Sequence, residues 1–425
     1  MFKLNHKIPL FVLSLWFLAL PELLWAEDFL TWENCVKEAF KNNPDLIAAK
    51  EEIIQSRADK NTNISNILPQ ISSQLSGKQS KTSGSSETDT YSYGISGQQL
   101  LFDGFKTTSN INAAVKSLEA KEYNYAVVSS DIRLNLKTAF SALLKAQELI
   151  SLSEEIAKRR KDNLELVQVR YEAGREHKGA VLTAQADLAQ GEFEVAQAKR
   201  NLLLVQQELS KALGRNKIIP IRVEGDFYVE AVEGVKPDCE ALADNVPFFK
   251  ELIARKEAAR FNYSSAKAEL FPQVYLSGSF GRTRSEWPPQ DDAWSAGLTV
   301  SLPIFEGGSR ISQIRKARSQ LKQAQANERS SRDGVIYTLE KTWKDFQDAL
   351  EIVSVKKKFL EAALERAKIA NAQYSSGLTT FDDWIIIENN LVSAKKADLD
   401  AKGNLLVAEA YWIQAKGGTL EYVKK

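Results

Sequence analysis

Residues 294–308 read Trp294-Ser-Ala-Gly-Leu-Thr-Val-Ser-Leu-Pro-Ile-Phe-Glu-Gly-Gly308. In the first nine, Trp294, Ala296, Leu298, Val300 and Leu302 fall on one face of an extended chain. Ser295, Gly297, Thr299 and Ser301 fall on the other. Just upstream, Val274, Leu276 and Phe280 share a face against Ser277 and Ser279. Apolar on one side and small-polar on the other, over about ten residues, is the pattern of a strand with lipid outside and water inside. A soluble sheet lying on a core alternates in the same way, so the strands alone leave both open. The polar stretch from Arg284 to Asp292 suits a loop in water. Pro303 closes the second strand, and Gly307-Gly308 opens a long run in which no further proline occurs.

The stretch has an earlier counterpart. Phe305-Glu-Gly307 matches Phe102-Asp-Gly104, and Phe271-Pro-Gln273 matches Leu68-Pro-Gln70. Val246-Pro247 matches Asn43-Pro44, Tyr374-Ser-Ser-Gly377 matches Tyr171-Glu-Ala-Gly174, and Gly417 matches Gly214; every pair is 203 residues apart. Anchors at one offset mean that the elements between them have equal lengths. The chain divides into a first repeat at 27–214, a linker at 215–236 and a second repeat at 237–421. Each repeat predicts a short helix (Thr31 to Lys41; Asp238 to Asp244) and a second helix (Asp45 to Ile67; Phe248 to Leu270). Pro69 and Pro272 stop the second helix. Two strands follow, with Ile71 and Leu75, then Tyr91, Tyr93, Ile95 and Leu101, as the apolar positions of the first pair. A very long helix comes next (Lys106 to Glu172; Ser309 to Ser375), then a last one (Gly179 to Leu213; Phe381 to Lys416). Gly174 and Gly377 suit the left-handed conformation that ends a helix. The linker offers two short strands, Ile218 to Val223 and Phe227 to Val232.

Composition narrows the function. The 425 residues carry 56 Lys and Arg against 55 Asp and Glu, and so lack the basic excess that nucleic-acid binding needs. Lys3 and Lys7, the apolar run Ile8 to Leu20, Pro21 and the small residue of Leu24-Trp25-Ala26 make residues 1–26 a secretory signal peptide. Its removal takes two basic and one acidic residue, leaving the two signs equal. It also takes His6, so His177 is the one histidine remaining. That excludes a histidine triad or cluster and leaves no cofactor or metal site; no Walker, dinucleotide or zinc-protease motif occurs, and the chain reads as a non-enzyme. Cys35 and Cys239 are an even pair in an exported chain, which permits a disulfide, but equivalent sites in two repeats need not be close.

No later segment has the length and apolarity of a membrane helix, so entry into a bilayer would have to be as strands of a closed barrel. The chain supplies four strands, and the smallest such barrels have about eight, so the barrel is shared between copies. The longest helices are rods of ~100 Å. The two shorter helices of each repeat, stacked end to end, form a second rod of similar length. Leu182, Ala189, Ala196, Leu203 and Ser210 recur every seventh residue and predict the packing seam of the last helix in repeat one. Rods packed side by side form either a solid bundle or the wall of a tube.

With the signal peptide and the repeats, Leu100-Leu-Phe-Asp-Gly104, Ser301-Leu-Pro-Ile-Phe-Glu-Gly-Gly308, the Tyr-x-x-Gly turns and Gly417-Gly-Thr-Leu420 resemble the TolC family of outer-membrane efflux proteins. The resemblance implies a mainly α fold with transmembrane β: long helical hairpins in a periplasmic α-barrel, and four strands per chain in a trimeric outer-membrane β-barrel. Asp103, Gly104, Glu306, Gly307 and Gly308 would be the strand–helix junctions. It implies a homotrimer in the outer membrane of a Gram-negative-type cell, in contact with outer-membrane lipid. A periplasmic adaptor and an inner-membrane pump or exporter would be its partners, and the duct would be passive, serving efflux or type I secretion.

The resemblance also implies a gate at the hairpin tips. Family acidic positions six and nine after the second turn glycine fall here on Asp383 and Ile386, with Asp382 and Glu388 nearby. The tip tyrosine is Tyr374; its usual aspartate partner falls on Ala180, and a common arginine falls on Thr379. Arg175, Glu176 and Lys178 are the candidates for a different lock, and Asp382 and Asp383 for an acidic ring at the entrance. The competing class is a non-conducting trimeric periplasmic coiled-coil scaffold, which has no need of a lipid-facing strand.

Overall fold

A computed structural model describes residues 28–81, 83–84, 87–216, 220–229 and 236–420. The expected signal peptide lies outside them. The first repeat runs β1 (Asp28–Leu30), α1 (Trp32–Asn42), α2 (Pro44–Ser65), β2 (Gln70–Ser80), β3 (Thr88–Phe102), α3 (Lys106–Glu172) and α4 (Lys178–Leu213). After β4 (Ile221–Val223), the second runs α5 (Cys239–Ala243), α6 (Pro247–Ala268), β5 (Gln273–Arg284), β6 (Asp291–Ser301), α7 (Ser309–Ser376) and α8 (Phe381–Ala415).

The helix ends follow local chemistry. Asn43 accepts from the N–H groups of Asp45 and Leu46, and Pro44 takes the first turn of α2. Gly174 (φ 69°) and Gly377 (φ 81°) adopt the left-handed region at the two hairpin turns, where a side chain is strained. At the first strand–helix junction, Asp103 accepts from the Thr107 N–H at 2.7 Å. At the second, Arg310 Nε donates to Glu306 at 2.7 Å. Position 105 and its repeat mate 308 both cap their long helix with positive φ, but only the second is glycine. Phe105 holds φ 66° with its ring exposed and edge-on to Phe102 at 6.0 Å.

The four long strands form one antiparallel sheet in the order β2-β3-β5-β6, so the repeats join through β3 and β5. Serine hydroxyls pair across it on one face: Ser72 with Ser96 at 2.9 Å, Ser76 with Ser92 at 2.8 Å, and Ser279 with Ser295 at 2.8 Å. The other face carries Ile71, Leu75, Ile95, Phe280, Trp294, Leu298 and Val300, all exposed in the single chain. β2 and β6 are paired on one side only.

Below the sheet, α3 packs against α4 and α7 against α8, and α3 also lies along α2, α6 and α8. The short helices do stack end to end. Asn43, at the head of α2, donates to the Ala212 carbonyl at the foot of α4 at 3.1 Å, and Gly417 lies against Pro247 where α8 meets α6. The main core sits at these junctions, where Leu136, Leu143, Leu209, Leu339, Phe346 and Leu406 are buried together.

Three expectations change. The buried row of α4 is Ala184, Gly191, Ala198 and Val205, while Leu182, Ala189 and Leu203 are exposed and Ala196 is half-buried; of the expected seam only Ser210 is buried. The seven-residue period holds, but the row that meets its own chain lies two residues out of phase with the expected one, on the opposite side of the helix. Of the linker's first expected strand, Ile221–Val223 is strand and residue 220 is not, while 218 and 219 lie outside the described residues; its parallel pairing with β1 was not anticipated from the sequence. Residues 227–229 are not strand, and the rest of the second expected strand lies outside the described residues. Cys35 and Cys239 are both buried free thiols, so the permitted disulfide is not formed. Burial pushes the Cys35 thiol up to about 12.

Candidate functional site

The tips of the two hairpins meet in one cluster. In the turn after α3, Gly174 and Arg175 close with N–H bonds to Tyr171 and Arg170 carbonyls; in the turn after α7, Gly377 and Leu378 do the same to Tyr374 and Gln373. His177 caps α4: its Nδ1 accepts from the Ala180 N–H at 3.1 Å. Thr380 caps α8, accepting from the Asp383 N–H at 3.2 Å and donating its hydroxyl to the Asp383 carboxylate at 2.8 Å. The first turn of α8 therefore places Asp382 and Asp383 exposed at the tip, where carboxylates also suit the helix dipole.

Beneath them is an aromatic knot. Tyr374 and Trp384 are fully buried and stacked, with centroids 4.3 Å apart and planes 6° from parallel. Phe381 packs edge-on to both, and Val167, Ala180 and Ala184 of the first hairpin close the cluster. Small residues at 180 and 184 make room for the rings; an aspartate at position 180 would put a charge against them. Tyr374 does bond to a carboxylate, but from another position. Its hydroxyl donates to Glu176 Oε2 at 2.9 Å. Burial, then the bond to Glu176, raises the Tyr374 phenol above its ordinary range, so it stays a donor. Arg170 supplies the tip guanidinium, lying over the Tyr374 ring at 4.5 Å and donating to its carbonyl at 2.6 Å.

Glu388 does not stand open at the mouth. Its carboxylate is buried and clasped by Arg159, whose Nε and Nη2 donate at 2.5 and 2.8 Å, while Asn163 adds a contact at 3.4 Å. The Glu388 bond raises the Arg159 guanidinium further, keeping it charged. Next to this clasp Arg160 donates to the Asp187 carbonyl at 2.9 Å, and burial raises the Asp187 carboxyl. Further along, Lys395 pairs with Glu155, and Lys145 with Asp400 at 2.7 Å. The second hairpin is thus tied to the first along much of its length. Arg175 and Lys178 have no ion-pair partner among the described residues. Arg159, Asn163, Arg170 and Trp384 were not singled out by sequence; two aromatics three residues apart, Phe381 and Trp384, flanking Asp382 and Asp383 in the first turn of a helix were the available signal for Trp384.

The arrangement holds two hairpins together by burial and charge. Among the described residues no group of three or more His, Cys, Asp or Glu could hold a metal ion, and no helix is long and apolar enough to cross a membrane.

Residues 35–215 and 240–418 each match the family model described as outer membrane efflux protein. The chain belongs to that family. The match covers both repeats. The outer membrane efflux protein BepC of Brucella suis is 25% identical over 411 residues, covering 91% of this chain and 85% of the relative. Among solved structures, the Campylobacter jejuni CmeC outer membrane channel superposes with a TM-score of 0.82 at 18% identity, over 92% of this chain and 86% of that one. VceC of Vibrio cholerae superposes with 0.80 at 19% identity, over 91% and 96%. The efflux protein is therefore an outer-membrane exit duct, with the sheet as its membrane part and the helices as its periplasmic part. Family members of this kind work with adaptors and inner-membrane pumps.

Proposed function

We propose that three copies of this chain form one passive duct, with a twelve-stranded barrel above a helical tunnel, fed by a periplasmic adaptor and an inner-membrane pump or exporter. The observation that carries this reading is the sheet: four strands with both edges open and a bare apolar face. An unpaired edge is not tolerated in lipid, and only closure with further copies removes it. Exposed Leu182, Phe193 and Leu203 on α4, and Ile352, Phe359 and Ile369 on α7, support the same reading below the membrane. A non-conducting stalk would not need the apolar strand face.

In this reading the tips are the gate, and Tyr374–Glu176, with Arg170, stands in for the lock that Ala180 and Thr379 cannot make. Tyr374→Phe removes a hydrogen bond to a carboxylate worth about 1.5–3 kcal/mol and keeps the ring in its stack. In planar bilayers wild-type trimers should be mostly closed, and the variant's open probability should rise about tenfold or more. Absence of any conductance in either protein would defeat the duct. An unchanged open probability would remove Tyr374 from the gate.

Asp382 and Asp383 from three copies would form an acidic ring at the entrance. Close like charges in a narrow mouth attract cations. Asp382→Asn/Asp383→Asn should lower cation selectivity and weaken block by multivalent cations. Unchanged selectivity together with unchanged block would leave these residues as helix-cap acids only.

A further inference from the structure

The internal repeat says more about the bare helix faces than their exposure does. Adding 203 to Ala189 and Leu203 of α4 gives Val392 and Leu406 of α8, both buried where α8 packs on α3. Subtracting 203 from the exposed Phe359 of α7 gives Ile156 of α3, buried at 2%. Ile369 likewise maps onto Leu166, partly buried in the tip cluster. So α4 and α7 each carry the apolar row that their repeat mates bury against one another. On α4 and α7 that row is exposed in the single chain.

Charges follow the same mapping. The α3–α8 contact is tied by Glu155 and Lys395. Their mates are Lys358 on α7 and Glu192 on α4, the same pair with both signs reversed. One heptad along, Glu351 and Lys199 come opposite each other by the same shift. Glu192, Glu351 and Lys358 are exposed and have no ion-pair partner in their own chain among the described residues, while Lys199 bonds Glu154 at 2.8 Å. Sign reversal on both members preserves attraction across the new contact and sets like charges against each other if the partners are exchanged at this seam, Glu155 of α3 against Glu192 of α4 or Lys395 of α8 against Lys358 of α7.

We infer that α4 of one copy packs against α7 of the next in the register of α8 on α3, with Glu192 facing Lys358 and Lys199 facing Glu351 of the neighbouring copy. This rests on the homotrimer reading and adds its surface and register. One chain has one α4 edge and one α7 edge, so the contact is head-to-tail and closes into a ring. Every seam between neighbouring hairpins of the tunnel is then the same helix pairing, alternately within and between chains.

Disulfide trapping tests the register in full-length protein carrying Cys35→Ser and Cys239→Ser. Glu192→Cys with Lys358→Cys should give covalent dimers and trimers under mild oxidation in most of the protein. Glu192→Cys with Glu351→Cys, about 10 Å out of register, should give almost none. A particle that is trimeric by light scattering but cross-links only out of register, or not at all, overturns the inference and leaves the homotrimer standing. A monomer overturns both. Charge exchange gives an independent reading: Lys358→Glu should lower the temperature at which the trimer dissociates by several degrees, and Lys358→Glu/Glu192→Lys should restore it. Failure of the exchange to restore what the single change lost overturns the pairing even if the single variant is poorly assembled.

Discussion

Trp384→Ala should loosen the hairpin tips by about 3–5 kcal/mol, the usual cost of deleting a buried large aromatic and leaving its space empty. Few positions in the chain offer as much. Trp384 is among the largest fully buried side chains, and its neighbours belong to both hairpins: Tyr374 and Phe381 from the second, Val167, Ala180 and Ala184 from the first. Loss of the indole removes the stack at 4.3 Å and leaves the Tyr374 ring open on one side. The knot spans the contact between hairpins, so most of the cost falls on the arrangement in which they touch. Each 1.4 kcal/mol is a factor of ten, so the ratio of closed to open tips should fall by two orders of magnitude or more. Amide exchange at residues 374–392 should accelerate by a similar factor, and bilayer recordings should show long openings. Trp384→Phe keeps a ring in the slot and should recover most of the protection. If the alanine variant exchanges and conducts like the wild type, the knot is packing within one hairpin and has no bearing on the gate.

The contrast between what was and was not legible in the sequence has a physical origin. Element ends were readable because they are decided locally: Pro44, Pro69, Pro272, Gly174 and Gly377 act within one or two turns of where they stand. The face of a rod was not. α4 has two seven-residue rows, Leu182–Ala189–Ala196–Leu203 and Ala184–Gly191–Ala198–Val205, and period alone cannot say which one meets its own chain. The row of small residues did, because α3 and α4 approach closely there; Gly191 lies against the Ala157 backbone. The larger residues stayed outside, on the face we assign to the next copy.

The tip contacts were hidden for a different reason. Tyr374 and Glu176 are 198 residues apart, and Arg159 and Glu388 are 229 apart. Neither spacing leaves a local pattern. The repeat offers no help either, since the mates of Arg159 and Glu388 are Ala362 and Gln185. Counting six residues from Gly174 leads to Ala180, whereas the carboxylate that reaches Tyr374 sits two residues from the glycine. A short side chain late in the turn and a longer one earlier in it can reach the same phenol, so the interaction is kept while its position moves.

Arg159→Ala should cost about 3–5 kcal/mol, as much as the loss of the aromatic knot, and for an electrostatic reason. Glu388 is 4% exposed at its side chain, and both of its oxygens are held by the Arg159 fork. With the guanidinium gone, Asn163 at 3.4 Å is the one hydrogen-bond partner left, among the described residues, to face a buried carboxylate. The neighbouring Arg160 is committed to the Asp187 carbonyl and cannot replace the fork without giving that up. Parting enough to admit water relieves the stranded charge, so the loss should appear as opening between α3 and α8. Spin labels placed on either side of the clasp should report a wider and broader distance distribution than in the wild type. Arg159→Met/Glu388→Leu separates the pair's net worth from the penalty of stranding one member. Replacing both by apolar residues of similar length should return stability to within about 1 kcal/mol of the wild type, or above it. A double variant as weak as Arg159→Ala would mean that the pair itself holds the hairpins together. A single variant indistinguishable from the wild type would mean that Glu388 is already hydrated, and the clasp would then have no part in keeping the tips closed.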